Sequence, residues 1–153
     1  MSQDKPSFLK LLNAVCVGEH EGSVWLEAWA ETTPKAEVAE VLRFVAAREA
    51  EHHHAFRKRI MELGFDVRWP ESTVRLEANL AAARCDQPDA AKFEFFNLHE
   101  CRERDIFDTM FTDKTIDPIT GGLLGRYIAE ERDSLRRFVA CYEALSADGA
   151  GCC

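Results

Sequence analysis

Apolar residues recur at alternating three- and four-residue intervals through four long stretches of this chain, and that period commits it to amphipathic helices packed against one another. The first stretch runs over about 7–32. Thr32-Thr33-Pro34 breaks it and starts a second, 34–63, which stops before Gly64. A third spans 89–111 and a fourth 118–146, separated by the turn signals Asp117-Pro118 and Gly121-Gly122. Between the second and third, Trp69-Pro70-Glu71-Ser72 and Asp86-Gln87-Pro88-Asp89 bracket a short helix over 73–84. No sustained period-two alternation competes with this pattern, and eight Gly and five Pro in 153 residues are too few for a turn-rich β fold. The expected fold is therefore all-α: a four-helix bundle of two antiparallel hairpins joined by a long crossover. It forms one domain over 1–153, with 147–153 a flexible tail.

Charge narrows the function classes. Nineteen Lys and Arg stand against 27 Asp and Glu, a formal net charge of −8, which repels nucleic acid and anionic membrane surfaces. No run of about 18 apolar residues is present to span a bilayer, and the polar stretch from Met1 to Pro6 does not look like a targeting signal. The six cysteines form no CxxC pair, which fits a reduced, cytoplasmic protein. Cys152-Cys153 lacks the polybasic stretch expected before a lipid-attachment tail.

The informative acids are those on the apolar stripes. At about 100° per residue, Phe8, Leu12, Val15, Leu26 and Ala30 define the inner face of the first helix, with Glu19 at its centre. Val38, Leu42, Val45, Phe56, Ile60 and Leu63 do so for the second, with Glu49 central and His52 and His53 on either side. In the third, Phe93, Phe96, Phe107 and Phe111 bring in Glu100, with Glu103 nearer the edge. Leu124, Ile128, Leu135, Phe138 and Tyr142 bring in Glu131 from the fourth. Buried unpaired carboxylates cost several kcal/mol each, and four that converge also repel one another. A cation between them resolves both problems. Two metal ions fit, because Glu49-Ala50-Glu51-His52 places a carboxylate and an imidazole one turn apart on one face.

Glu51 and His54 form a second Glu-x-x-His match, turned outward. Arg104, near the core face of the third helix, offers the alternative of an ion-pair or protonated cluster without metal. His53 reads as a supporting or packing residue, and His20 and His99 as solvated. Carboxylates with one or two imidazoles and no inward thiolate suit iron, with manganese as the substitute, better than structural zinc. Trp25, Trp29, Phe95 and Ile106, beside or opposite the stripes, suggest a homodimer interface.

On these residues the chain resembles the ferritin-like superfamily of carboxylate-bridged di-iron proteins, and within it the rubrerythrin group. The segment from Glu19 through Trp29-Ala30, then Glu49-Ala50-Glu51-His52 to Glu62-Leu63-Gly64, is similar to that group's first hairpin. Glu100-Cys101-Arg102-Glu103 matches its third-helix Glu-x-x-Glu. The resemblance implies a non-haem di-iron oxidoreductase acting on hydrogen peroxide or dioxygen, with Glu19, Glu49, Glu100 and Glu131 as catalytic metal ligands and His52 and Glu103 completing the set. It equally admits ferroxidase-type iron handling, hydroxylation of an organic substrate, and metal binding without turnover. One departure is specific. Where the family carries a second Glu-x-x-His on its last helix, this chain has Ser134 counting from Glu131, or Asp133 counting from Glu130, so Glu103, Asp133 and His53 are the candidates to replace that histidine. With no CxxC there is no rubredoxin module, so electrons would come from a separate donor protein.

Overall fold

The computed structural model describes residues 5–101, 110 and 112–149. Among them the chain is entirely helical, with no strand: α1 (Leu9–Thr32), α2 (Ala36–Glu62), α3 (Val74–Arg84), α4 (Asp89–Phe95) and α5 (Pro118–Gly149). No helix among the described residues is long and apolar enough to cross a membrane.

α1 and α2 pack along their length as an antiparallel hairpin, α3 lies on α1, and α5 packs on α2 and α4. The turn between α1 and α2 is held from a distance. Asp89, the first residue of α4, accepts hydrogen bonds from Trp29 Nε1 at 2.7 Å and Thr33 Oγ1 at 2.6 Å. Trp29 is consequently fully buried and belongs to the core, not to an exposed interface as its place off the stripe suggested. Trp25 stacks on Phe96, while Phe95 is exposed; Ile106 lies outside the described residues.

α2 ends where Gly64 adopts φ 82°, with Gly64 N–H donating to Met61 O and Phe65 N–H to Ile60 O, the paired bonds of a left-handed helix stop. The same device corrects the expected third helix. Asn97 takes φ 55°, its N–H donates to Glu94 O, and Leu98 N–H donates to Phe93 O at 2.8 Å, so α4 closes after Phe95 instead of running to 111. Glu100 is therefore outside any helix and exposed. Glu103, Arg104, Phe107 and Phe111 lie outside the described residues.

α5 starts on a strong cap. Asp117 Oδ1 accepts from the N–H groups of Ile119 and Thr120, both at 3.0 Å, and Oδ2 accepts from Thr120 Oγ1 at 2.7 Å and Arg59 Nη2 at 3.0 Å. Those bonds, the Thr120 backbone first, hold the carboxyl at about 2 instead of its ordinary 3.8. Asp117→Ala should cost about 1–2 kcal/mol in chemical denaturation near neutral pH. Because the folded carboxyl is the stronger acid, its contribution is complete above 3.8 and is lost as pH falls through about 2. Wild type and variant should therefore converge in stability over that acid range, and a gap that persists at pH 2 would contradict the cap.

The apolar core comes in two parts. One comprises Leu26, Trp29, Val38, Leu42, Val45, Phe93 and Phe138; the other comprises Phe8, Leu12, Cys16, Phe56, Ile60, Leu124 and Ile128. Along α1, α2 and α5 the residues between these clusters are Glu19, Glu49, His52 and Glu131. A polar layer thus crosses the molecule between two hydrophobic plugs.

Candidate metal centre

His52 is the hub of that layer. Its residue is almost wholly buried, and both ring nitrogens meet carboxylates: Nδ1 lies 3.0 Å from Glu19 Oε2 and 3.4 Å from Glu131 Oε1, and Nε2 lies 2.7 Å from Glu130 Oε2. Burial works against a charged ring here, but Glu131, Glu19 and Glu130 together push its pKa up to about 10. In the protein alone the ring is an imidazolium that donates from both nitrogens. The single Nδ1 proton goes to Glu19, which explains why Glu131 Oε1, though near, is a buried oxygen with no hydrogen-bond partner.

Glu19 is buried and its second oxygen accepts from Tyr127 Oη at 2.9 Å. Burial raises its pKa, with the Glu131 charge adding to the effect. Glu49 is pushed well above the ordinary carboxylate range, first by burial and then by Glu19 and Glu131, and among the described residues its carboxylate accepts no hydrogen bond. It sits over Gly22 of α1, in volume that a Cβ at position 22 would overlap. Tyr127 is raised as well, by burial and by the surrounding acids.

Glu19, His52 and Glu131 each offer a ligand atom within 4.8 Å of the others; Glu49 stands outside that set but close enough to feel the charges of all three. An orphaned buried oxygen, a carboxylate without a donor, and two buried acids, Glu19 and Glu49, raised by burial and by neighbouring carboxylate charge form a donor set that a cation satisfies. Oxygen-rich ligation with one imidazole fits iron or manganese. Nδ1 is the ring atom turned to Glu19 and Glu131, so it is the nitrogen that would face an ion held by those two acids. Nε2–H stays on Glu130, the outer carboxylate that fixes ring orientation at metal-bound histidines.

Of the residues expected from sequence, Glu19, His52 and Glu131 come together, with Glu49 beside them. Glu100 does not: it is exposed beyond the end of α4. Glu51 and His54 are exposed, as their outward register implied. His20 and His99 are half-buried where solvated rings were expected, His20 against Trp69 and His99 against Tyr142.

Ser134 and Asp133, the positions where the resemblance implied a second histidine, both bond a cation. Arg48 Nη1 donates to Ser134 Oγ at 3.0 Å, Asp133 Oδ2 at 2.9 Å and Glu130 O at 2.9 Å. Asp133 is further held by Arg137, and His53 Nδ1–H donates to the Cys16 carbonyl at 2.8 Å, so these two candidate substitutes are engaged elsewhere; Glu103, the third, lies outside the described residues. Tyr127, Glu130 and Arg48 were not anticipated. Tyr127 had a signal, since it precedes Glu131 by four residues and so shares its face. Glu130 had none, because its register points between faces. No protein-family model, curated protein or solved structure matches the chain.

Proposed function

We propose that the protein is a ferritin-like non-haem metalloprotein whose buried layer holds iron, or manganese in its place, and that it acts as an oxidoreductase on hydrogen peroxide or dioxygen. The observation that carries this reading is Glu131 Oε1, buried without a hydrogen bond beside Glu19, Glu49 and His52, in a layer between apolar clusters on both sides. Glu19, Glu49, His52 and Glu131 hold one ion. In a di-iron form the same carboxylates, with Glu103 as the further candidate, would be the residues to hold a second ion.

Such an ion, when bound, supplies electrons by cycling between divalent and trivalent states. The chain's own residues do the rest. His52 loses the proton from Nδ1 to become a ligand, so uptake of metal releases protons and weakens as pH falls. Glu130 keeps the Nε2 proton and is itself held below the usual carboxylate range, since His52 and Arg126 outweigh its partial burial. Tyr127 fixes one oxygen of Glu19 and leaves the other toward the centre.

Metal analysis and mixing experiments test this. Purified protein should take up at least about one iron or manganese per chain. At a hundredfold excess over Kd, binding should stabilise it by about 2.7 kcal/mol, or roughly 5–10 °C in Tm. The ferrous form should be oxidised rapidly by peroxide or air. Neither uptake nor a shift in Tm would remove the metal reading. Tight uptake with inertness to both oxidants would instead establish metal binding without turnover, the reading favoured by Arg48 and Ser134 standing where a second histidine ligand would be.

A further inference from the structure

Beyond the end of α2 the chain passes beside α1. Phe65 and Val67 are half-buried against the apolar cluster of Leu12, Phe56 and Ile60, while Asp66 and Arg68 between and after them are exposed, the alternation of an extended segment. One side chain of α1 pins this segment. Asn13 Nδ2–H donates to Arg68 O at 2.9 Å, and Asn13 Oδ1 accepts from Arg68 N–H at 2.7 Å, so a single amide satisfies both backbone groups of Arg68. A cavity of about 590 Å³ lies there, within the roughly 300–1,000 Å³ of small-molecule sites. Lys10, Asn13 and Ala14, three and four residues apart on one face of α1, line it together with Phe65, Asp66 and Arg68; Leu9 and Lys5 complete the lining.

The charge of that lining runs against the rest of the molecule. In a chain of net charge −8, Lys5, Lys10 and Arg68 meet around one cavity with Asp66 as the single carboxylate. Elsewhere Arg48, Arg59, Arg75 and Arg126 each pair with an acid. The side chains of Lys5, Lys10 and Arg68 form no ion pair among the described residues, so their mutual repulsion is uncompensated within the protein. An anion relieves it. A bare inorganic anion would leave Leu9, Ala14 and Phe65 facing water, whereas an anion with an apolar body covers them.

We propose that this cavity binds a free carboxylic acid with an apolar chain, its carboxylate on Lys5, Lys10 and Arg68 and its chain on Leu9, Ala14 and Phe65. The cations supply charge-assisted hydrogen bonds and the apolar lining supplies burial, so head and chain are both required. None of these residues belongs to the carboxylate layer, and the site stands or falls independently of the metal.

The test titrates decanoate, below its micellar concentration, into the full-length protein by calorimetry, with amide NMR reporting the place of binding. Wild type should saturate at a single equivalent with Kd below about 100 μM, and the shifted amides should be those of α1 around Lys10 to Ala14 and of Phe65 to Arg68. Acetate, which has the head without the chain, and decyltrimethylammonium, which has the chain with the opposite charge, should each bind at least about tenfold more weakly. Ala14→Glu places a carboxylate in the cavity from an exposed helical position that leaves the fold intact, and should weaken decanoate by about tenfold or more; Lys10→Gln should weaken it about threefold or more. The proposal is overturned if decanoate does not saturate, if acetate or the ammonium analogue binds equally well, if Ala14→Glu binds like wild type, or if the shifted amides lie elsewhere. Saturable binding of a Glu-rich peptide in place of decanoate would also overturn it, and would make the face a protein-docking surface.

Discussion

Glu49→Gln should make the metal-free protein more stable while abolishing its stabilisation by iron. Glu49 has no hydrogen-bond donor among the described residues and faces Glu19 and Glu131, so holding it there as a carboxylate costs free energy that a cation recovers. The amide keeps the shape and removes the charge. An expected gain of about 1–3 kcal/mol at neutral pH corresponds to roughly 3–10 °C in Tm. The pH dependence identifies the cause. In the unfolded chain the carboxyl ionises around its ordinary 4.5, whereas in the fold it retains its proton well above that value. Above 4.5 the folded state thus binds more protons than the unfolded state, and wild-type stability falls with rising pH in a way the amide does not share. The difference between the two proteins should be small at pH 4 and widen toward pH 7. Glu51→Gln is the control: Glu51 is exposed and paired with Arg126, so the change should stay within about 0.5 kcal/mol and leave iron binding intact. Loss of stability in Glu49→Gln together with retained iron binding would mean that the inward face of α2 had been misassigned.

Much of the centre was legible because it follows from rotation about helix axes. Glu19, Glu49, His52 and Glu131 lie on apolar stripes, and a stripe on a long helix has one direction to go. The helix stops were legible where proline or glycine wrote them: Thr32-Thr33-Pro34 marked the end of α1. Gly64 announces the end of α2, but Asn97 ends α4 through the same left-handed turn, and asparagine inside an apolar periodic run is not by itself a stop. The run Phe93, Phe96, Phe107, Phe111 therefore extended the third helix on paper and carried Glu100 inward with it. Trp29 was misjudged for a different reason. Its position off the stripe is real, but Asp89, 60 residues on, brings α4 over that side and buries it. Arg48 shows the same limit from the other direction. A basic residue near an apolar stripe reads as a solvated side chain until the acceptors it meets, here Asp133 and Ser134 on α5, are known.

Gly22→Ala should damage metal binding far more than it damages the fold, and Gly18→Ala, one turn earlier in α1, should do neither. Both glycines are interior helical positions, where alanine is favoured by about 0.5–1 kcal/mol from helix propensity and from the reduced freedom of the unfolded chain. At Gly18 the new methyl meets nothing within 4 Å, so that gain should appear in full as a small rise in Tm. At Gly22 the methyl would occupy the volume of the Glu49 carboxylate. That carboxylate is the free end of a flexible side chain held by no hydrogen bond among the described residues, so it yields by rotating away without unpacking the helices. The metal-free protein should remain within about 1 kcal/mol of wild type. Its affinity for iron should fall by about tenfold or more, because a displaced carboxylate no longer shares a focus with Glu19, His52 and Glu131. Parallel thermal melts with and without ferrous iron separate the two effects. If Gly22→Ala retains the full iron-dependent shift, Glu49 is not a ligand and the bare backbone beneath it serves only the approach of α1 to α2. If the shift disappears in Gly18→Ala as well, the loss reflects a general change in α1 and not the position of one carboxylate.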